Sequence, residues 1–254
     1  MKKKSNKIKV IIIVILLVLI AAGAIVLYTN KKEVPQEETP TVEVDESLEA
    51  YKKEYEENYA INNDYVGKLV FKSGLLDLPV VQGDTNETYL RKDWETGEYS
   101  EYGSIFADYE CTLDDQNYVI YGHYVYSTYV EDASERMFTP LGKLIDEENY
   151  KDNDLIEFRL KDEVRTYQIV AVYYCNLIYE DGDYYLPEGY EYYNPNFTDE
   201  FFETYKANVK ASEFYDPGVD YDNENDYLTL QTCVENREDL REIVLAKHVG
   251  VEQY

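Results

Sequence analysis

The chain has 254 residues and carries 52 acidic against 24 basic side chains, a formal charge of -28. Seven of those basic residues and none of the acids lie in the first 32 positions, so the rest of the chain stands near -35. A surface this acidic excludes nucleic acid as a partner, because binding phosphates requires a basic face.

Val10 to Tyr28 is an apolar run of 19 residues without a charge, long enough to cross a hydrocarbon core of ~30 Å as a helix. Five lysines precede it and two follow. That asymmetry predicts a cytoplasmic N-terminus with the bulk of the chain outside. Ala21-Ala22-Gly23 lies inside the apolar run rather than after it, which favours a retained anchor over a cleaved signal peptide. Residues 1–32 are therefore expected to be a cytoplasmic tip and transmembrane anchor in the lipid bilayer. Residues 33–46, with two prolines and many acids, are expected to be an extended linker.

Residues 47–254 are expected to form one extracellular domain. Leu48, Tyr51, Tyr55 and Tyr59 recur at helical spacing and predict a helix that packs its aromatic side inward. Short β-branched and aromatic runs follow at Lys68 to Phe71, Leu78 to Val81, Tyr118 to Tyr121, Leu155 to Leu160, Thr166 to Leu177, Tyr227 to Thr232 and Glu242 to Val249. Gly, Asn and Asp separate them, the pattern of a mainly β barrel or sandwich. Phe201, Phe202, Tyr205 and Val209 return to helical spacing behind Thr198-Asp199-Glu200, so a helix interrupts the connection before the last two strands. The Tyr-rich stretch Tyr184 to Tyr193 is expected to be a surface loop.

Candidate chemistry is concentrated in few residues. Cys233 ends the run Thr229-Leu230-Gln231-Thr232-Cys233, and Arg241 opens the next strand eight residues later. A hairpin there brings a guanidinium beside a thiol, and a reactive cysteine needs such a cation or a base. Only two histidines occur. His123 follows a strand in Tyr121-Gly122-His123, where a loop can hold a catalytic base; His248 alternates with apolar residues and is read as structural. Arg237 is placed in a solvated loop from Val234 to Asp239. Cys111 and Cys175 are read as two buried thiols, their pairing being the alternative. The acidic run Asp220 to Asp226 has Asn225 and Gln231 where a calcium loop needs a glycine and a bidentate acid, so no metal is expected. No phosphate loop or other cofactor motif occurs.

These residues resemble a family. The Thr229 to Cys233 motif, the arginine opening Arg241-Glu-Ile-Val-Leu-Ala-Lys, and the blocks Pro79 to Gly83, Gly103 to Tyr109, Tyr121-Gly122-His123 and Met137-Phe138 are similar to those of class B sortases. The resemblance implies an eight-stranded sortase β-barrel and a cysteine transpeptidase of Gram-positive bacteria. Cys233 would attack the threonine carbonyl of a sorting signal near a surface protein's C-terminus. An amine, from a cell-wall peptide or a pilin lysine, would resolve the thioester. His123 would serve both proton transfers and Arg241 would hold substrate or oxyanion. Thr232 and Glu235 complete the candidates on the substrate side: Thr232 would hydrogen-bond substrate or fill its strand, and Glu235, two residues past the cysteine where some class B members carry an acid, would orient the imidazole or be solvated on its loop. Tyr124 stands where asparagine is usual. A catalytically silent adhesin on the same barrel is the alternative from another functional class.

Overall fold

The structure, a computed structural model, describes residues 46–126, 132–176 and 192–254. The expected anchor, Val10 to Tyr28, and nearly all of the linker fall outside the described residues. Among the described residues no helix is long and apolar enough to cross a membrane.

Eight strands close into a barrel: β1 (Tyr65–Phe71), β2 (Asp77–Val81), β3 (Ile105–Ala107), β4 (Asn117–Tyr121), β5 (Leu155–Arg159), β6 (Glu163–Asn176), β7 (Tyr227–Val234) and β8 (Arg237–Gln253). Around the barrel they run β1-β2-β3-β4-β7-β8-β6-β5. Two of the eight pairings are parallel, β2 with β3 and β4 with β7; the others are antiparallel. Closure leaves no free strand edge. The mainly β class, the barrel and the two helices expected from the sequence are all present.

Alternation along each strand divides the apolar residues into two sets. Leu69, Val80, Ile120, Phe158, Val172, Leu228, Leu230 and Val244 face inward and fill the barrel. Tyr173, Cys175, Tyr227, Ile243 and Leu245 face outward from β6, β7 and β8 and need a cover. The helix Asp199–Ser212 supplies it with Phe202, Tyr205 and Val209. Thr198 caps that helix by accepting from the Phe201 amide, and Asp199 and Glu200 occupy its first turn, where acids favour the positive end of the helix dipole. Phe202 and Tyr205 are wholly buried, worth about 2 kcal/mol each in apolar burial.

The N-terminal helix, Glu46–Ile61, lies against β1 through its tyrosines. The Tyr55 ring meets Tyr65 at 5.3 Å, and the Arg159 guanidinium sits 3.8 Å from the Tyr51 ring centre. Lys68 joins Glu54 on this helix to Asp77 on β2, at 2.5 and 2.8 Å. In β1, Gly67 passes so close to β5 that a Cβ there would stand 2.5 Å from the Arg159 carbonyl oxygen. Only glycine fits that crossing.

One expectation needs correction. The Val234 to Asp239 loop shrinks to the turn Glu235-Asn236, with Val234 paired to Arg237 and Asn236 in the left-handed region at φ 59°, which asparagine tolerates. Arg237 accordingly opens β8 and grips Asp239 through Nε and Nη2, at 2.9 and 2.7 Å. Residues 184–191 of the Tyr-rich stretch lie outside the described residues; its last two, Tyr192 and Tyr193, lie in a turn, the first buried and the second exposed. The three cysteines are unpaired, with Cys111 and Cys175 buried.

Candidate active site

The parallel ladder between β4 and β7 explains how two distant segments meet. Tyr121 is the register partner of Gln231, and the Gly122 amide extends the pairing by donating to the Gln231 carbonyl at 3.1 Å. Both strands therefore leave the barrel at the same edge. His123 lies two residues beyond Tyr121, and Cys233 two residues beyond Gln231. On the other side of β7, Cys233 pairs across the antiparallel ladder with Arg241. An open cleft of about 280 Å³ collects Cys233, His123 and Arg241.

Gly122 is required at the exit from β4. A Cβ there would come within 2.5 Å of Phe138 Cγ and 2.6 Å of Ile105 Cδ1. Phe138 is wholly buried and its amide donates to the His123 carbonyl at 3.0 Å. The Met137-Phe138 block thus anchors the loop that carries the imidazole.

The imidazole is half-buried, and its Nε2 lies 2.9 Å from the Leu90 carbonyl oxygen. That acceptor assigns the ring proton to Nε2 in the neutral form and leaves Nδ1 as the open lone pair. Burial holds the His123 pKa below the ordinary imidazole value; the Leu90 hydrogen bond opposes this and the nearby Arg91 charge adds to it. The resting imidazole is neutral near pH 7.

Arg241 is steered by a bulge. Between the pairs Cys233–Arg241 and Val234–Arg237, β8 inserts three residues, Glu238 to Leu240. Arg241 Nη1 donates to the Glu238 and Leu240 carbonyls at 3.0 and 2.8 Å. These bonds fix one edge of the guanidinium, and a planar fork held in this way keeps its other donors available.

The remaining walls of the cleft include Leu90, Phe106, Tyr121, Asn86 and Gln231. Asp108, buried in the Gly103 to Tyr109 block, accepts from the Tyr121 hydroxyl at 2.7 Å and from Asn86 Nδ2 at 2.9 Å. Tyr192 donates its hydroxyl to Gln231 Oε1 at 3.1 Å. Neither Asp108 nor Leu90 was among the sequence candidates. The acid was visible inside its block, whereas a backbone carbonyl gives no sequence signal.

The other candidates fall elsewhere. Thr232 is fully buried and continues the inner row of Leu228 and Leu230. It projects to the opposite face of β7 from Cys233, into the barrel. Glu235 is exposed on the turn, and its Oε2 lies 3.5 Å from the Tyr124 hydroxyl, while the imidazole Nε2 lies against the Leu90 carbonyl. His248 sits near the other end of β8, opposite Tyr167, with the two rings 5.3 Å apart. Burial pushes the Cys111 thiol up to about 11 and the Cys175 thiol up to about 12. Cys233 is the only one of the three thiols that is not buried. Among the described residues no cluster of His, Cys, Asp and Glu is arranged to hold a metal ion.

Known proteins are similar to this chain. The family model described as the Sortase domain matches residues 71–249. Sortase B of Staphylococcus aureus is 27% identical over 207 residues, covering 80% of this chain and 78% of the relative. The solved Staphylococcus aureus sortase B–substrate complex superposes with a TM-score of 0.65 at 26% identity, over 78% of this chain and 86% of that one. Clostridium perfringens sortase B gives 0.64 at 28% identity, over 77% and 99%. The chain belongs to the sortase family, within class B, and is a cysteine transpeptidase.

Proposed function

We propose that this transpeptidase cleaves a C-terminal sorting signal after threonine and joins the freed acyl group to an amine of the cell wall. The observation that carries the reading is the register: a parallel pair delivers His123 and Cys233 to one edge, and an antiparallel pair sets Arg241 against Cys233. A neutral imidazole can take the thiol proton. The thiolate then adds to the threonine carbonyl carbon, and the oxyanion that forms is met by the Arg241 guanidinium. The imidazolium returns the proton to the leaving amine nitrogen, the C–N bond breaks and a thioester remains. The second half runs in reverse: an incoming amine adds to the thioester, gives its proton to His123, and Cys233 leaves. One histidine suffices because each half moves one proton between the same kinds of atom.

The location follows from the sequence. Val10 to Tyr28 would anchor the chain as a single span, with residues 33–46 as a spacer and residues 47–254 as the extracellular domain facing the wall. An acidic domain beside a cationic amine acceptor is electrostatically favourable.

The test uses the full-length chain in detergent micelles, threonine-containing peptides in a library, and glycine oligomers or a lysine peptide as acceptors. Cleavage with an amide product is expected, and none is expected from Cys233→Ala. Cleavage that survives the substitution would overturn the nucleophile assignment; cleavage giving only free acid would make the enzyme a hydrolase. Fractionation of cells expressing the chain with and without residues 10–28 tests the anchor, which fails if both versions sediment with membranes.

A further inference from the structure

Directly behind the thiol and the guanidinium lies a feature that the reaction scheme leaves unused. Thr232 and Glu242, the neighbours of Cys233 and Arg241, are themselves register partners. Because side chains alternate along a strand, this pair projects to the inside of the barrel while Cys233 and Arg241 project outward. Both residues are essentially inaccessible to solvent, and Thr232 Oγ1 and Glu242 Oε1 take no hydrogen bond from any described residue. An unsatisfied buried pair costs stability, so its presence one residue from the reacting groups needs a reason other than folding.

The surroundings of the Glu242 carboxyl supply one. Gly142, in the 3-10 segment Thr139–Ile145, lies so near that a Cβ on it would stand 3.8 Å from Glu242 Oε2 and 3.8 Å from the Tyr124 ring. Tyr124 is the residue after His123. The same segment holds the imidazole loop at a second place, where Thr139 Oγ1 accepts from the Val125 amide at 2.8 Å. Glu242 thus sits where the strand pair bearing Cys233 and Arg241 meets the segment bearing His123. We propose that Glu242 is a positioning residue that ties the Cys233–Arg241 strand pair to the His123 segment. The proposal rests on the assignment of those three residues to the chemistry.

The protonation state gives the tie a sign. Burial alone pushes the Glu242 carboxyl up to about 8. The ionisable groups that face it are Tyr124 from the His123 loop and Tyr215 from the segment after the Asp199–Ser212 helix, with Tyr174 its partner on β6. Glu235 acts on Tyr124 from the turn. No cation among these is placed to stabilise the carboxylate. Below its pKa the acid is uncharged and can stay inside; above it, a buried charge is expelled toward water and the junction loosens.

The experiment needs no sorting signal. The full-length chain in detergent, labelled with 13C at histidine, is titrated by NMR from about pH 6 to about pH 9.5, and Cys233 alkylation by iodoacetamide is timed in parallel. The His123 resonance should show, besides its own titration, a second inflection with a midpoint near about 8. Glu242→Gln, uncharged at every pH, should abolish that inflection while keeping the alkylation rate at pH 7 within about twofold. Glu242→Leu should change that rate by about tenfold. Absence of the inflection, its survival in Glu242→Gln, or a parental rate in Glu242→Leu would each overturn the proposal. Should Glu242→Leu fail to fold, the comparison of the parent with Glu242→Gln decides alone. Peptide cleavage by Cys233→Ala would instead sink the catalytic assignment, which the histidine inflection does not measure.

Discussion

Cys175 and Cys233 flank the same residue: Arg241 on β8 is the register partner of Cys175 on β6 and of Cys233 on β7. The two thiols share one arginine and differ in access, since Cys175 is fully buried and Cys233 opens to the cleft. Proximity to a cation is therefore not enough to make a thiol reactive. Burial pushes the Cys175 thiol up to about 12 despite the opposing effect of Arg241. In the folded chain at about pH 7.5, iodoacetamide should modify Cys233 alone, and Cys111 and Cys175 should react only after denaturation. Peptide mapping by mass spectrometry checks this, and early labelling of Cys175 would contradict it.

The pH behaviour of His123 has a definite sign. Its folded pKa is lowered mainly by burial, so the unfolded chain binds the proton more readily. The contribution of this residue to stability is present above the unfolded value of about 6.5 and is lost as the pH drops from there through the lower folded value. An NMR titration should place the His123 midpoint below about 6.5. Removing the Arg91 charge with Arg91→Ala should raise that midpoint, because the guanidinium disfavours the imidazolium.

Gly122 admits no side chain. The Cβ of Gly122→Ala would overlap Phe138 and Ile105, and relief requires moving the loop that carries His123. A loss of about 1–3 kcal/mol in stability is expected, read as a lower melting temperature. Turnover should fall further than the melting shift alone implies.

Arg241 works as a shaped group. The Glu238 and Leu240 carbonyls hold one edge of its fork, and a lysine offers a single ammonium in place of that plane. Arg241→Lys should lower kcat by about 10²-fold or more, the scale for removing an oxyanion donor, with KM less affected. Steady-state kinetics on the full chain separates the two, and a parental kcat would exclude the oxyanion role.

Much of this site was legible in the sequence because its parts follow strands whose ends are marked. The run before Cys233, the Gly122-His123 exit and the Arg241 start each sit at a β boundary, and the helix carrying Phe202 and Tyr205 announced itself by spacing. Other parts were not. β3 has three residues, all buried, which gives no alternation to detect. The direction of Thr232 depended on which face of β7 turns inward, a matter of barrel closure through the long-range pair β1–β5. Glu242 looked like one acid among many, because a strand pattern read alone does not say which side is the interior. The Leu90 carbonyl that holds the imidazole belongs to the backbone, and its identity could have been almost any residue.

The parallel pairing of β4 with β7 has a consequence for how such an enzyme can diversify. The 105 residues from Gly122 to Asp226 form one long excursion that leaves from and returns to adjacent strands. Segments within it other than Phe138 and Thr139, which hold the His123 loop, can lengthen, shorten or change composition without altering the offset between imidazole and thiol, since the ladder sets the strand ends from which both residues project. New substrate preferences can be tried on the excursion while the reacting atoms keep their places.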